Sequence, residues 1–201
     1  MKVTKAQAQA NRARVVETAS TLFRERGYDG IGVADLMAAA GLTHGGFYKQ
    51  FGSKADLMAE SAACGIAKTA ELTTGVDMSE FVRLYLSREH RDSRSTGCTL
   101  AALGGDAARQ PESVRTIFAA GIERQLAALS VGCQQVDSAE AGGARAQSLD
   151  ILAHAVGALV MSRACPDDSP LADEILSVCR DSILALLSSS AASGTCAGTP
   201  R

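Results

Sequence analysis

The stretch Val33-Ala-Asp-Leu-Met-Ala-Ala-Ala-Gly41-Leu-Thr43-His-Gly-Gly-Phe-Tyr-Lys-Gln-Phe51 decides the fold. Val33, Leu36, Met37 and Ala40 recur on one face of a short helix that Gly41 closes. A second short helix runs from about Thr43 to Phe51 and buries Phe47 and Phe51. Two short helices joined at Gly41-Leu42-Thr43 have the turn length and glycine placement of a helix-turn-helix. Ala38, Ala39 and Ala40 are small where the two helices must cross. The second helix carries donors at its start and along one face: Thr43, His44, Tyr48 and Lys49. A recognition helix needs this set, because its first residues reach base edges and later ones grip phosphates. Gly45 and Gly46 each cost about 1 kcal/mol against Ala in a helix interior, a cost that makes sense where the backbone must come close to DNA. By spacing alone an ordinary helical hairpin, with His44 merely exposed and Tyr48 in the core, reads equally well.

Helical spacing continues on both sides. Val15, Val16, Ala19, Leu22 and Phe23 mark a helix ended by Gly27, and Ser53-Lys54-Ala55-Asp56 reads as a capping box launching a helix through Leu57, Ser61, Cys64 and Lys68. Downstream, Asp77 caps a helix through Phe81, Val82, Tyr85 and Leu86, and His90 to Gly97 reads as a polar loop. A helix from Cys98 loses its pattern at Gly104-Gly105. Pro111 opens a segment to about Val136, and a turn-rich stretch spans Asp137 to Gly143. Two helices, roughly Ala144 to Ala164 and Pro170 to Ser188, close the fold before a tail from Ser189 expected to be disordered. Aromatics are only 4% of the 201 residues, with no Trp, which disfavours a sheet protein. The fold class is all-α.

Charge is asymmetric. Residues 1–54 hold eight basic and four acidic residues, whereas the rest of the chain, twelve basic and eighteen acidic, is negative. Lys2, Lys5, Arg12 and Arg14 precede the first acid. A basic head on an acidic body points to a polyanion met by the head alone.

The run from Arg12 to Leu57 resembles the DNA-binding head of the TetR/AcrR family of bacterial transcriptional regulators. The resemblance rests on Ala19-x-x-Leu22-Phe23-x-x-x-Gly27-Tyr28, Val33-x-x-Leu36-x-x-x-Ala40-Gly41-Leu42, and Thr43-x-Gly45-x-x-Tyr48-x-x-Phe51-x-Ser53-Lys54-x-x-Leu57. It implies a three-helix head at 8–68 with its helix-turn-helix at about 33–51, a ligand-binding and dimerisation domain at 69–190, a tail at 191–201, and about nine helices in all. It makes Thr43, His44, Gly45 and Lys49 the groove-facing residues and Tyr48 and Lys54 phosphate ligands. The amides near Gly32 and Val33 start the supporting helix at the DNA backbone. Gly46 and Gly32 depart from the family pattern, which commonly has a hydroxyl residue at both places.

In the body, Leu149, Leu152, Val156 and Leu159 with Ile175, Val178, Ile183 and Leu186 form apolar faces suited either to the monomer core or to an isologous four-helix contact. The resemblance favours a homodimer and a near-palindromic operator. Phe81, Tyr85, Cys98, Phe118 and Ile122 are candidate lining residues of an inducer pocket. Gly97-Cys98-Thr-Leu100-Ala-Ala-Leu103 also resembles a stretch of a TetR subgroup in which some members sense electrophiles or oxidants. Cys98 opens a helix with Arg91 and Arg94 just upstream, a setting that favours thiolate chemistry.

The six cysteines are far apart and read as reduced thiols. No Cys or His lies at ligand spacing from another, so neither a metal nor a cofactor is expected. Gly30-Ile-Gly32-Val-Ala-Asp35, His90-Arg91-Asp92 and Gly194-Thr-Cys196-Ala-Gly198 imitate catalytic or dinucleotide motifs without their structural context, and no enzyme is expected. No segment reads as a signal peptide or membrane span, so a cytoplasmic location is expected. The expected function is a DNA-binding transcriptional repressor that a small-molecule inducer releases from double-stranded operator DNA. A thiol-based repressor acting through Cys98 and a helical adaptor without DNA activity are the alternatives.

Overall fold

The computed structural model describes residues 4–130 and 138–194. Among them the regular elements are nine α-helices and one 3-10 helix, with no strand, so the fold is all-α. In chain order they are α1 (Lys5–Arg26), α2 (Val33–Ala39), the 3-10 helix (His44–Lys49), α3 (Lys54–Thr73), α4 (Met78–Tyr85) and α5 (Arg88–Asp92). α6 (Thr99–Ala107), α7 (Glu112–Ser130), α8 (Ser138–Ala164) and α9 (Pro170–Gly194) follow. The chain divides into two compact units: residues up to Leu72 with Ser93–Gln125, and Thr73–Asp92 with the residues from Leu126 onward.

The first unit holds the head. Thr4 caps α1, its hydroxyl accepting the Gln7 N–H at 3.2 Å. Val15, Ala19 and Phe23, spaced four apart, are buried along one stripe. α2 ends in a Schellman motif: the Leu42 N–H donates to Met37 O at 2.8 Å and the Gly41 N–H to Ala38 O at 2.9 Å. Gly41 takes φ +70°, where a side chain would be strained, and this sets the turn. Ser53 Oγ accepts the Asp56 N–H at 3.1 Å at the start of α3. Of the expected capping box only this serine half forms. α6 packs on α1, and the glycine pair Gly104–Gly105 does not end it, since the helix runs on to Ala107. Near its end Asp106 accepts the Tyr28 N–H at 3.0 Å, so a carboxylate of α6 holds the turn after α1.

The second unit is built on α8 and α9, packed along each other, with α4 against α9 and α5 against α8. Asp77 caps α4 as expected, its Oδ1 accepting the N–H groups of Ser79 and Glu80 at 2.9 and 3.1 Å. The expected loop from His90 to Gly97 is corrected at its start, because Arg88–Asp92 is helical; residues 93–97 are loop as expected. Arg91 is 2% exposed, and its guanidinium donates to the carbonyls of Ser162, Pro166 and Asp167 at 3.3, 3.2 and 3.5 Å. Arg163 returns the tie by donating to the carbonyls of Arg91 and His90 at 2.9 and 2.8 Å. Those bonds give a charged string a buried side and make it a helix. The turn-rich stretch is also corrected: α8 begins at Ser138, where Ala and Glu follow a residue suited to a helix start. α9 likewise continues past Ser189 to Gly194. The rest of the expected tail, 195–201, and residues 131–136 of the segment expected to follow Pro111 lie outside the described residues.

Candidate nucleic-acid interface

The second helix of the motif is a 3-10 helix, not an α-helix. The Gly46 N–H donates to Thr43 O at 3.0 Å and the Gln50 N–H to Phe47 O at 2.8 Å, both three residues back. Two adjacent glycines weaken the α-helical preference of a segment this short. Phe47 and Phe51 are buried and stack with ring centroids 5.4 Å apart, so they fix the segment to the head. Arg12 of α1 lies over the Phe51 ring at 4.6 Å, donates to Gln50 O at 3.4 Å, and engages both carboxylate oxygens of Glu60. The hydrogen bond to Glu60 holds the guanidinium above its usual proton affinity. Arg12 thus belongs to the scaffold, although the charge count places it in the basic head.

With the phenylalanines turned in, Thr43, His44, Gly45, Tyr48 and Lys49 are all exposed. Tyr48 is 69% exposed, which removes the reading of it as core. Its ring contacts Phe47 edge-on at 5.0 Å and faces His44 at 6.3 Å. Thr43 is the N-cap residue, yet its hydroxyl makes no capping bond and is left for an outside acceptor. Gly32 caps α2 with no side-chain bond, which leaves the first amides of α2 at an exposed helix start. Lys54 is turned inward: its Nζ donates to Tyr28 O at 2.5 Å and lies 5.9 Å from the Phe23 ring centroid. Arg14 is exposed on α1, its Nη1 lying 3.9 Å from the place of a Gly41 Cβ beside the turn. This cation beside the motif is legible in sequence only as part of the basic N-terminal run.

The residues expected around an inducer divide between the two units. Phe81 and Tyr85 pack together in the second with ring centroids 5.2 Å apart, whereas Cys98, Phe118 and Ile122 belong to the first. A slot of about 110 Å³ in the first unit is lined by Ala63, Ile66, Ile117, Ala120, Gly121 and Arg124, and none of the five expected residues lines it. Of the apolar faces on α8 and α9, Leu152, Leu159 and Ile183 are buried within their own unit. Val156 and Ile175 are half-buried, and Leu149, Val178 and Leu186 are exposed, as are Val160, Met161 and Leu171. Of the two cations expected upstream of Cys98, Arg91 is committed to carbonyls of the second unit, whereas Arg24 of α1 has Cys98 among its electrostatic partners.

Among the described residues no group of three or more His, Cys, Asp or Glu could hold a metal, and no helix is long and apolar enough to cross a membrane. A helix-turn-helix with its polar residues facing outward on an all-α scaffold defines a DNA-binding protein. Residues 15–60 match the family model described as bacterial regulatory proteins, tetR family. Most of the fold is shared with solved structures at low identity. NemR of E. coli in its reduced form is 18% identical, with 87% of this chain and 95% of that one covered and a TM-score of 0.68. A tetR-family transcriptional regulator from Streptomyces coelicolor is 16% identical, with 92% and 83% covered and a TM-score of 0.69. A TetR-family regulator from Agrobacterium tumefaciens is 23% identical, with 89% and 98% covered and a TM-score of 0.63. No curated protein matches. Residues 15–60 are thus similar to the DNA-binding head of bacterial regulatory proteins of the tetR family, and the chain as a whole has the fold of these solved structures.

Proposed function

We propose that the protein is a cytoplasmic homodimeric repressor that holds a near-palindromic operator and is released from it by a small-molecule inducer. The observation that carries this reading is the outward row on the recognition segment: Thr43, His44, Tyr48 and Lys49 are exposed while Phe47 and Phe51 anchor the segment from behind. In this reading Thr43, His44, Gly45 and Lys49 face the groove, Tyr48 holds a phosphate, and the amides at Gly32 and Val33 meet the DNA backbone. Lys54, bound to Tyr28 O, acts on the scaffold instead. Dimerisation is supported by the exposed Leu149, Val160, Met161, Leu171, Val178 and Leu186 on the last two helices, which a twofold mate would cover. Inducer coupling of about 1–3 kcal/mol is sufficient to weaken operator binding roughly 5- to 150-fold.

The test is fluorescence anisotropy on DNA from upstream of the protein's own gene, across a salt series, beside a Tyr48→Ala, Lys49→Ala variant. The expected result is site-selective binding that weakens steeply with salt and is lost in the variant. Binding no tighter than to random duplex would exclude autoregulation. Failure to select any site from random duplexes would favour the helical adaptor.

A second reading is release by thiol modification at Cys98, which stands at the N-cap of α6. An oxidant that dissociates the DNA complex reversibly with dithiothreitol supports it, and a Cys98→Ser variant with unchanged oxidant response removes it.

A further inference from the structure

Two helices of the first unit, α3 and α7, leave a slot between them where their side chains are too small to fill it. On α7, Ile117, Ala120, Gly121 and Arg124 recur at helical spacing along one face, and on α3 Ala63 and Ile66 lie one turn apart. At one place the helices touch. A Cβ placed on Gly121 would lie 2.5 Å from Ile66 Cδ1 and 2.9 Å from Ile66 Cγ2, so α7 has no room there for a side chain. Gly121 and Ile66 are both buried and close the slot from behind. Ala63 and Ala120 bring only methyl groups to its walls, and a space of about 110 Å³ remains. Ala63 and Ile117 are half-buried, whereas Ala120 and Arg124 are exposed, so the slot opens to solvent beside the arginine.

Arg124 is the one charged residue that lines the slot. The places on α7 from which a carboxylate would reach it, three and four residues away, are held by Ala120, Gly121, Ala127 and Ala128. It forms no salt bridge among the described residues, whereas Arg12, Arg88 and Arg109 each engage a carboxylate. A planar guanidinium offers paired N–H donors that match a carboxylate, and the five apolar lining residues match a hydrocarbon body. The volume sets the size of that body. An apolar cavity of about 150 Å³ takes up benzene, so a slot of about 110 Å³ with an open edge suits a single ring or a short chain whose acid group stays at the mouth. We infer that the slot binds a small organic carboxylate, its apolar body between α3 and α7 and its acid group on Arg124. A neutral molecule of the same shape leaves the guanidinium unmatched, and a bare carboxylate leaves the apolar walls wet. That such an acid is the inducer rests on the repressor reading above, but its binding does not. Ala63 stands nine residues after Lys54, about 14 Å along the helix that follows the recognition segment.

The experiment is isothermal titration of the full chain, without DNA and at constant ionic strength, with three probes: benzoate, benzamide and acetate. Benzoate carries both halves of the expected chemistry and should bind saturably, one molecule per chain. Benzamide lacks the charge and acetate lacks the ring, so each should bind about tenfold more weakly or worse. Arg124→Gln should weaken benzoate by about tenfold and leave benzamide nearly unchanged. Ala63→Leu, which grows a side chain into the slot, should block benzoate and benzamide alike, and thermal melts check that both variants fold. The absence of saturable benzoate binding overturns the proposal. So does benzamide or acetate binding as tightly as benzoate, or benzoate binding undiminished in both variants. Anisotropy on an operator duplex with and without benzoate separates the two questions. Benzoate that binds the slot and leaves DNA affinity unchanged supports the site and removes its role as inducer, whereas a chain that binds no DNA refutes the repressor reading and leaves the titration standing.

Discussion

Gly45 and Gly46 are adjacent and chemically identical, yet substitution should weaken DNA binding at the first and leave it nearly unchanged at the second. Neither takes a positive φ, so alanine fits the backbone at both. A Cβ on Gly45 meets nothing within 4 Å and points to open space, whereas one on Gly46 sits 3.7 Å from Met37 Cε and 3.9 Å from Thr43 Oγ1, in ordinary contact with the head. Replacing a helical glycine by alanine stabilises by about 0.5–1 kcal/mol, which for a chain of this size raises Tm by roughly 1–4 °C. Gly45→Ala and Gly46→Ala should both show that gain in a thermal melt. Only Gly45→Ala places its methyl group on the proposed DNA side. Disturbing one groove contact costs about 1–3 kcal/mol, and a twofold dimer repeats the loss, so at least about 2 kcal/mol is expected, near 30-fold in Kd. Anisotropy on the cognate duplex should show that loss for Gly45→Ala and a change within about threefold for Gly46→Ala. Full affinity in a Gly45→Ala protein that melts higher would refute the reasoning, because the glycine would then answer neither to the fold nor to DNA.

Other outcomes follow from buried polar groups. Tyr28 is fully buried with no partner for its hydroxyl, and burial, reinforced by Asp106, pushes the phenol far above its usual range. Tyr28→Phe should therefore stabilise by about 1 kcal/mol in urea unfolding without altering DNA affinity, and a loss of similar size would mean the hydroxyl is satisfied. Arg91→Met should cost about 3 kcal/mol or more, because it leaves three carbonyls of the α8–α9 junction without their donor; a change under 1 kcal/mol would show the clamp to be incidental. His90 bonds Tyr85 O through Nδ1 at 2.7 Å, and burial together with the Arg163 charge lowers its pKa despite that bond. Its folded form binds fewer protons than its unfolded form, so its contribution is complete above about pH 6.5 and is lost as pH falls through the lower folded value. His90→Asn, which keeps a donor toward Tyr85 O, should flatten that acid limb in urea titrations at successive pH values.

The helix-turn-helix is legible in sequence because its signals are local. Gly41 ends α2 through bonds that span five residues, and Phe47 and Phe51 sit one helical turn apart. What sequence spacing leaves open is which way neighbours face: Phe47 and Tyr48 are adjacent aromatics, one fully buried and the other mostly exposed. α5 is invisible in the string because its burial comes from carbonyls supplied far along the chain at Ser162, Pro166 and Asp167. The same distance hides the tie of Arg24 on α1 to Ser95 O, which lies three residues before Cys98. Apolar periodicity on α8 and α9 marks helix faces correctly, but it cannot divide Leu159, fully buried in its own unit, from Val178, 61% exposed.

The recognition segment hangs on two aromatic rings, and its outward residues take no part in holding the head together. The Thr43 side chain accepts no capping bond, a Cβ on Gly45 would touch nothing, and His44 and Lys49 are exposed. Under the proposed function, operator preference can therefore drift by substitution at these positions at little expense to folding, whereas a change at Phe47 or Phe51 is met first by the core. A chain built this way can acquire a new target sequence, after gene duplication for example, before it needs any compensating mutation elsewhere.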